Sequence, residues 1–135
     1  GSGSDSAALQ TRAVKSGNGY VLNGTKRYIT NAPMAEVALI MARTSPENLP
    51  RNAHVSAFIV ARSTPGLSIG KADRKMGQAG AQIADIILED VEVGGDALLG
   101  GVEGKGFEHA MKSLDNGRLS VAAAATGYAR RALDT

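Results

Sequence analysis

The chain has 135 residues, of which 43% are hydrophobic and 21% charged, proportions typical of one ordinary globular domain. It contains no cysteine, which excludes disulfides, thiolate nucleophiles and cysteine-based metal sites, and its two histidines are too few for a histidine-rich metal site. Fifteen Lys and Arg against thirteen Asp and Glu give a net charge of +2, but the cations are dispersed, so the sequence predicts no nucleic-acid partner. No apolar run approaches the length of a membrane span, so the sequence predicts no membrane-spanning helix.

The first hundred residues alternate short apolar runs with turn-forming residues. Residues 12–15 predict a strand, and the Gly-containing segment 16–19 predicts the turn that follows it. Residues 20–22 and 25–30 flank the dipeptide Asn23-Gly24. Because a type I′ turn requires positive φ at both central positions, Asn-Gly between apolar runs is a strong hairpin signal. We therefore predict a hairpin turn at Asn23-Gly24.

Four further segments complete a predicted set of six or seven short strands: residues 37–42, 55–60, 67–71 and 82–88. The first of these is continuously apolar, which predicts a strand covered on both faces. Residues 45–52 contain two prolines and predict a long surface loop, and Thr64-Pro65-Gly66 fits a tight turn. Strands at this spacing predict a mainly β fold, either an antiparallel barrel or a sandwich.

The rest of the chain predicts one long α-helix. From residue 107 to residue 133 the apolar residues recur at three- and four-residue steps, which indicates a single apolar face. The sequence therefore divides into a β-domain over residues 1–100 and a helical part over residues 101–135. The last residues contain no Gly or Pro stop signal and no element precedes residues 1–5, so we expect a piece of a larger protein.

One candidate site lies on the predicted strand 25–30. Strict alternation would place Lys26, Tyr28 and Thr30 on one face and Arg27 and Ile29 on the other. A flat ring lying on Tyr28 could then receive a hydrogen bond at its edge from the hydroxyl or backbone N–H of Thr30. The alternative is that Tyr and Thr simply suit a half-buried strand, where both residue types are favoured.

A second candidate site lies in the predicted helix, at Leu114-Asp115-Asn116-Gly117-Arg118. Arg118 falls on the apolar face, where its charge needs an anionic partner, and Asp115 is three residues before it. Gly117 in mid-helix costs about 1 kcal/mol relative to Ala, which suggests the close approach of another group. The alternative is an ordinary ion pair within the helix beside a tolerated glycine.

Two other segments have a candidate chemistry and a plainer alternative. Residues 1–5 are rich in Gly and Ser, and the backbone amides of such a loop can hold phosphate, but the segment also fits a flexible terminus. Glu89, Asp90 and Glu92 form an acidic cluster that we interpret as a solvated turn and not as a metal site. We assign no metal ligand, and no role to His54 or His109.

Seven motifs, in order and at consistent spacing, resemble those of the acyl-CoA dehydrogenase family. They are residues 1–5 (GSGSD), 22–31 (LNGTKRYITN), 64–69 (TPGLSI), 75–77 (KMG), 88–93 (LEDVEV), 104–107 (GKGF) and 114–118 (LDNGR). Each motif alone is weak, whereas together they cover nearly the whole chain. The resemblance implies the family's middle β-domain followed by the first helix of its C-terminal four-helix bundle.

The resemblance also implies a flavoprotein oxidoreductase that uses FAD. It assigns to the cofactor Gly3, Ser4, Tyr28, Ile29 and Thr30, with Tyr28 packed on the flavin ring and Thr30 bonded near N5. It assigns to the acyl-CoA substrate Ser4, Asp115, Asn116, Gly117 and Arg118, beside the pantetheine and CoA portion. In the family a base removes the α-proton of the acyl thioester while hydride passes from the β-carbon to flavin N5.

The same resemblance implies the partners and the location of the parent enzyme. It implies an acyl-CoA substrate of fatty acid metabolism, an electron-transfer acceptor and assembly as a homo-oligomer. It implies the bacterial cytoplasm, or the mitochondrial matrix if the source is eukaryotic. It implies neither a nucleic-acid partner nor a membrane span.

Three residues depart from the family pattern. Tyr28 stands where the family most often has Trp, and Gly94 stands where a Pro is common. Some members have the catalytic Glu at the position of Gly117, which has no carboxylate. The resemblance therefore implies a base further along the parent protein, and we expect the isolated chain to be inactive. The alternative from another class is a small β-barrel module that binds a polyanion or a protein partner without catalysis.

Overall fold

The computed structural model describes residues 9–44 and 51–134 of the chain. Its elements are β1 (Arg12–Ser16), β2 (Gly19–Thr30), β3 (Val37–Arg43), β4 (Val55–Ala61), β5 (Leu67–Ile69), β6 (Ile83–Gly94) and α1 (Gly106–Leu133). Short 3₁₀ helices lie at Arg51–His54, Gly95–Ala97 and Leu99–Gly101. The predicted class, mainly β with six strands and one long helix, is confirmed.

The strands form one sheet in the order β4-β3-β1-β2-β6-β5. β1 and β3 pair in parallel, whereas the other neighbouring strands pair antiparallel. The sheet is therefore mixed, and β4 and β5 are its two edges, so the predicted barrel is not closed. An isolated antiparallel bridge between Phe58 and Leu98 brings the segment after β6 back onto β4.

The first hairpin turns at Gly17-Asn18, which joins β1 to β2 as predicted. The second predicted turn, at Asn23-Gly24, is wrong, because β2 continues through this dipeptide for 12 residues. The side chain of Asn23 donates to Asp90 Oδ1 at 2.9 Å and accepts from the Asp90 backbone N–H at 2.8 Å. These two bonds hold a bulge, seen as a register shift between Leu22 and Gly24 where β2 pairs with β6.

The backbone conformation at position 24 and the closeness of Thr11 together require glycine there. The φ of Gly24 is +139°, and a Cβ at this position would lie 2.9 Å from the Cα of Thr11. Only glycine combines this backbone conformation with such a close approach. The Asn-Gly signal is therefore real, but it encodes a bulge and a backbone contact instead of a chain reversal.

β3 differs from its prediction in burial. Ile40 and Ala42 are fully buried, whereas Val37 and Leu39 on the opposite face are each 57% exposed. The expectation of a strand covered on both faces is wrong within the described residues. The run is apolar on both faces of β3, but the described residues leave the face with Val37 and Leu39 largely exposed.

The remaining predicted segments agree with the structure to different degrees. The turn at Thr64-Pro65-Gly66 is confirmed, because the Leu67 N–H donates to the Thr64 carbonyl at 3.1 Å and Gly66 has a φ of +85°. β6 is longer than predicted and β5 shorter. Of the predicted loop 45–52, residues 45–50 lie outside the described residues, and the 3₁₀ helix begins at Arg51.

The core packs on one side of the sheet. Tyr20 and Phe58 meet edge to face with ring centroids 5.0 Å apart. The other buried apolar side chains include Leu22, Ile40, Val60, Ala84, Ile86, Leu88 and Val91. Burying one large apolar side chain contributes about 1.5–3 kcal/mol. Small side chains such as Ala42 and Ala84 are also fully buried in this core.

The Tyr20 hydroxyl connects this core to the segment before α1. It donates to Glu103 Oε1 at 2.6 Å, and Lys15 Nζ lies 3.1 Å from the same oxygen. Burial, followed by the bond to Glu103, raises the pKa of Tyr20 to about 12. The hydrogen bond from Tyr20, followed by Lys15, lowers the pKa of Glu103 below its usual value.

α1 is anchored at its first residue. Gly106 is buried against β4, and a Cβ there would lie 2.6 Å from the carbonyl carbon of Ser56. The Ser56 hydroxyl accepts from the Gly104 N–H at 2.9 Å and lies 2.6 Å from the Thr44 hydroxyl. From Lys112 to Asp134 every side chain is exposed. The helix therefore joins the sheet through its first turns alone.

Candidate functional site

Tyr28 lies at a second bulge between β2 and β6. Lys26 pairs with Ile86 and Ile29 with Ala84, so β2 contains one residue more than β6 across this step. Tyr28 has a φ of +57°, in the left-handed region that costs a non-glycine residue about 1–2 kcal/mol. The strand therefore changes its alternation at Tyr28.

This bulge corrects the predicted faces of the strand. Lys26 pairs with the buried Ile86 and Ile29 with the buried Ala84, so both lie on the core face, although strict alternation would put them on opposite faces. Lys26 therefore does not share a face with Tyr28. Tyr28 is 66% exposed and Thr30 is also exposed, whereas the Ile29 side chain packs against the core. Tyr28 and Thr30 remain together on the outside of the strand.

Two groups hold the exposed Tyr28. Its backbone N–H donates to Asp85 Oδ1 at 3.2 Å, and Asp85 Oδ2 lies 3.5 Å from Arg27 Nε. The Arg27 guanidinium in turn lies over the Tyr28 ring, 5.0 Å from its centroid. A cation over one face of the ring contributes about 0.5–1 kcal/mol at an exposed site. The aromatic ring thus has one face under a cation, and most of its surface remains accessible.

Behind this strand lies a cavity of about 190 Å³ between β2, β3 and the turn that joins them. Lys26 is the one charged residue among those lining it; the others are Ile29, Thr30, Ala32, Ala35, Val37, Ala38, Leu39, Ile40 and Ile86. Burial without a described anionic partner lowers the pKa of Lys26 to about 8. The amine is therefore partly neutral at physiological pH.

The helical candidates are placed differently from expectation. Arg118 Nη1 lies 2.6 Å from Asp115 Oδ1, which confirms the predicted partner. Both side chains are exposed, which agrees with the alternative of an ordinary ion pair within the helix. A Cβ at Gly117 would meet nothing within 4 Å, and the Asn116 carbonyl accepts from the Ser120 hydroxyl at 3.3 Å. No described group approaches Gly117 closely.

The two candidate groups remain on separate elements. Tyr28 contacts Asp85 and Arg27 within the sheet, and Asp115 contacts Arg118 within α1. Gly3 and Ser4, the third candidate group, lie outside the described residues. Tyr28 and Thr30 are both exposed and two residues apart, and they offer what a planar heteroaromatic group needs, a flat apolar face and hydrogen bonding for its edge.

The described residues contain neither a group of potential metal ligands nor a membrane-spanning helix. Within residues 9–44 and 51–134 no three His, Asp or Glu side chains are grouped so that they could hold a metal ion. Among the same residues, no helix combines the length and the apolar character needed to cross a membrane. The acidic residues Glu89, Asp90 and Glu92 lie within β6, so the turn predicted for them is wrong, and Asp90 is bonded to Asn23.

Sequence reasoning missed two residues of this region. Asp85 contacts Arg27 and Tyr28, and Lys26 lines the cavity. A charged residue between the apolar Ala84 and Ile86 is a usable signal for Asp85, because strand alternation alone places it on the face opposite to the core. Alternation from the buried Tyr20 and Leu22 places Lys26 on the core face, but the predicted turn at Asn23-Gly24 separated Lys26 from those two residues.

The described chain is a mainly β domain followed by one long helix. Its six-stranded mixed sheet exposes the aromatic ring of Tyr28. Residues 1–91 match the family model of the acyl-CoA dehydrogenase middle domain, and residues 104–135 match that of the acyl-CoA dehydrogenase C-terminal domain. The chain belongs to the acyl-CoA dehydrogenase family.

Individual relatives agree with this assignment. The chain is 47% identical over 134 residues to the caffeyl-CoA reductase-Etf complex subunit CarC of Acetobacterium woodii, covering 99% of this chain and 35% of that protein. It is 44% identical to the human mitochondrial short-chain specific acyl-CoA dehydrogenase, covering 99% and 32%. The structure of butyryl-CoA dehydrogenase from Megasphaera elsdenii superposes with a TM-score of 0.83 at 40% identity, covering 90% and 31%. The chain spans about one third of the length of these relatives.

Proposed function

We propose that this chain is the flavin-binding middle domain, residues 1–100, and the first C-terminal helix, residues 101–135, of an FAD-dependent acyl-CoA dehydrogenase. The parent enzyme then α,β-dehydrogenates acyl-CoA thioesters. The observation that supports this most directly is the exposed Tyr28 ring beside Thr30 in a chain of this family. The family membership supplies the reaction class, and the bulge supplies an accessible surface for the cofactor.

The strand residues have separate roles in this proposal. Tyr28 offers a flat face on which a flavin ring can pack, and the Thr30 hydroxyl or N–H donates to its edge. Ile29 anchors the strand, because its side chain packs against the core. Gly3 and Ser4 complete the cofactor site, with Ser4 also near the substrate. Bound FAD supplies the redox chemistry as the hydride acceptor.

The helical residues hold the substrate in this proposal. Arg118 provides a permanent cation for the pantetheine and CoA portion of the substrate, and Asp115 orients its guanidinium. Asn116 adds amide hydrogen bonds, and Gly117 leaves room for the substrate because it has no side chain. Since Gly117 offers no carboxylate, the base that removes the α-proton belongs to another part of the parent protein.

Partners and location follow from the same proposal. One relative is named as a subunit of a complex with Etf, and we propose an electron-transfer protein as the acceptor here. We place the parent enzyme in the bacterial cytoplasm or the mitochondrial matrix, and we propose that it is a homo-oligomer. Apolar side chains on α1, such as Leu114 and Val121, are exposed and suited to contact further helices.

Flavin binding tests the proposal in the 135-residue chain. We expect added FAD to lose fluorescence on binding, and Tyr28→Ala to weaken this binding by about tenfold, because stacking on an aromatic ring contributes about 1–3 kcal/mol. Tyr128→Ala is the matched control, because Tyr128 is a similarly exposed tyrosine on α1. We expect it to bind FAD as the unmodified chain does.

The activity assay and a competing ligand complete the test. We expect no turnover of acyl-CoA with an artificial electron acceptor, because the chain lacks the base. Turnover by the pure chain would contradict the assignment of the base to another region. Salt-sensitive binding of a single-stranded oligonucleotide, without any binding of FAD, would instead support the non-enzymatic binding module.

A further inference from the structure

The conformation of Tyr28 requires an explanation from outside its own strand. A tyrosine gains nothing locally from a φ of +57°, because its Cβ is crowded there. Such a conformation persists only where neighbouring groups determine it. The residue of β6 that faces the bulge is Asp85, between Ile86, which pairs with Lys26, and Ala84, which pairs with Ile29.

Asp85 is itself firmly placed. Its neighbours Ala84 and Ile86 are both buried in the core. Its backbone carbonyl accepts a hydrogen bond of 2.9 Å from the Gly70 N–H, beyond the end of β5. Its carboxylate therefore projects from a backbone that is held on both sides, which makes it a fixed acceptor for the residues of the bulge.

The two carboxylate oxygens contact two different groups of the bulge. Oδ1 accepts from the Tyr28 N–H at 3.2 Å, a donor that the bulge removes from the ladder between β2 and β6. Oδ2 lies 3.5 Å from Arg27 Nε, and the guanidinium of Arg27 lies over the Tyr28 ring. One side chain thus contacts the backbone of Tyr28 directly and its ring through Arg27.

We propose that Asp85 is the positioning residue for Tyr28. It holds the bulge through the Tyr28 N–H and, through Arg27, keeps one face of the ring under a cation so that the other face stays accessible. The consequence for cofactor binding rests on the proposed function, whereas the effect on the conformation of Tyr28 does not. Asp85 contacts neither substrate nor cofactor in this proposal.

The two contacts predict an order among variants. Asp85→Asn keeps an oxygen that can accept from the Tyr28 N–H but loses the charge that attracts Arg27. Asp85→Ala loses both. The exposed Glu89 lies on the same strand, and no hydrogen bond or ion pair of its side chain is described, so Glu89→Ala is the matched control for the loss of a carboxylate from β6.

The first experiment measures the Tyr28 amide by ¹⁵N NMR in the 135-residue chain. We expect Asp85→Ala to increase hydrogen exchange at this amide by about tenfold or more and to change its coupling to Hα, with melting of the whole chain followed in parallel. We expect Asp85→Asn to retain most of the protection and Glu89→Ala to change neither quantity. An unchanged Tyr28 amide in Asp85→Ala would overturn the proposal.

The second experiment asks whether this positioning matters for the cofactor. The chain contains no Trp, so Tyr28→Trp introduces a single indole reporter at the bulge. We expect FAD to quench its fluorescence, and Asp85→Ala in the same background to weaken FAD binding by several-fold. Asp85→Asn should weaken FAD binding less than Asp85→Ala does. If Asp85→Ala changes the Tyr28 amide but leaves FAD binding unchanged, the role in cofactor binding is wrong.

The two experiments separate this inference from the proposed function. If FAD does not quench the indole fluorescence of Tyr28→Trp even with Asp85 intact, the proposed cofactor contact fails. The NMR result on Tyr28 still decides whether Asp85 holds the bulge. If the amide responds to Asp85→Ala and FAD binding weakens in parallel, both are supported.

Discussion

At the scale of single residues, burial brings the ionisation of Lys26 close to the physiological range. Lys26 lines a cavity whose other lining residues are uncharged, and burial lowers its pKa from 10.5 to about 8. The folded chain therefore binds fewer protons than the unfolded chain between these two values. It follows that the free energy of unfolding rises with pH in this window and that the full cost of burial is present below pH 8.

We predict that Lys26→Met removes this cost. The free energy of unfolding at pH 7 should increase by roughly 1–3 kcal/mol, because the shift sets an upper bound of about that size. Its rise between about pH 8 and pH 10 should disappear. Denaturant unfolding at several pH values measures both effects.

Lys71→Met is the control for the loss of a lysine charge. Lys71 is exposed, so this variant should change stability by less than about 0.5 kcal/mol. Tyr20 changes stability in the opposite direction at high pH. Its pKa is raised from 10.0 to about 12, so its contribution to the free energy of unfolding is present below pH 10 and is lost as the pH rises towards 12. The unfolding measurements on Lys26→Met and Lys71→Met should therefore stop near pH 10, below the range in which Tyr20 ionises. A Lys26→Met chain with an unchanged pH dependence would contradict the assignment.

At the scale of elements, the start of α1 depends on the absence of a side chain at Gly106. A Cβ there would lie 2.6 Å from the Ser56 carbonyl carbon and 2.9 Å from the Ala57 nitrogen, both backbone atoms of β4. We predict that Gly106→Ala destabilises the chain by about 1–3 kcal/mol, because the helix must move off the strand. Thermal or denaturant unfolding measures this change.

Gly127 provides the matched control in the same helix. A Cβ at Gly127 would meet nothing within 4 Å, so Gly127→Ala should raise the helical circular dichroism signal without loss of stability. Equal behaviour of the two variants would show that the contact of Gly106 with β4 has no energetic importance.

At the scale of the whole molecule, the sheet and most of α1 are held by different forces. The strands share a buried core, whereas all side chains from Lys112 to Asp134 are exposed. This exposed part of the helix extends about 33 Å at 1.5 Å per residue. An exposed helix is stabilised by local interactions alone, such as the ion pairs of Glu108 with Lys105 and Lys112 near its start.

We predict that hydrogen exchange separates these two regions. In dilute solution the amides beyond residue 112 should exchange on the order of 100-fold faster than those of β2 and β6, because opening the helix exposes little apolar surface. If the apolar side chains of α1 associate between copies, protection should increase with protein concentration. Equal protection of helix and sheet in dilute solution would contradict this division.

The order of elements was largely predictable from the sequence. The β1–β2 turn, the Pro-Gly turn and the long helix each depend on residues adjacent in the chain, and all three are confirmed. The motifs that resemble the family also lie in local stretches, and the family models match the same regions. Local patterns therefore determined the class of fold and the family.

The exact faces of the strands were decided by the tertiary structure. Asn23 bonds to Asp90, 67 residues away, and the Tyr28 N–H bonds to Asp85, 57 residues away. Each contact accompanies a bulge, and one extra residue reverses the alternation on which face prediction depends. The sequence by itself determined a mainly β chain of 135 residues with one long helix and few large side chains. Only strand pairing decided that Tyr28 faces outward and Ile29 inward, because a bulge depends on the partner strand.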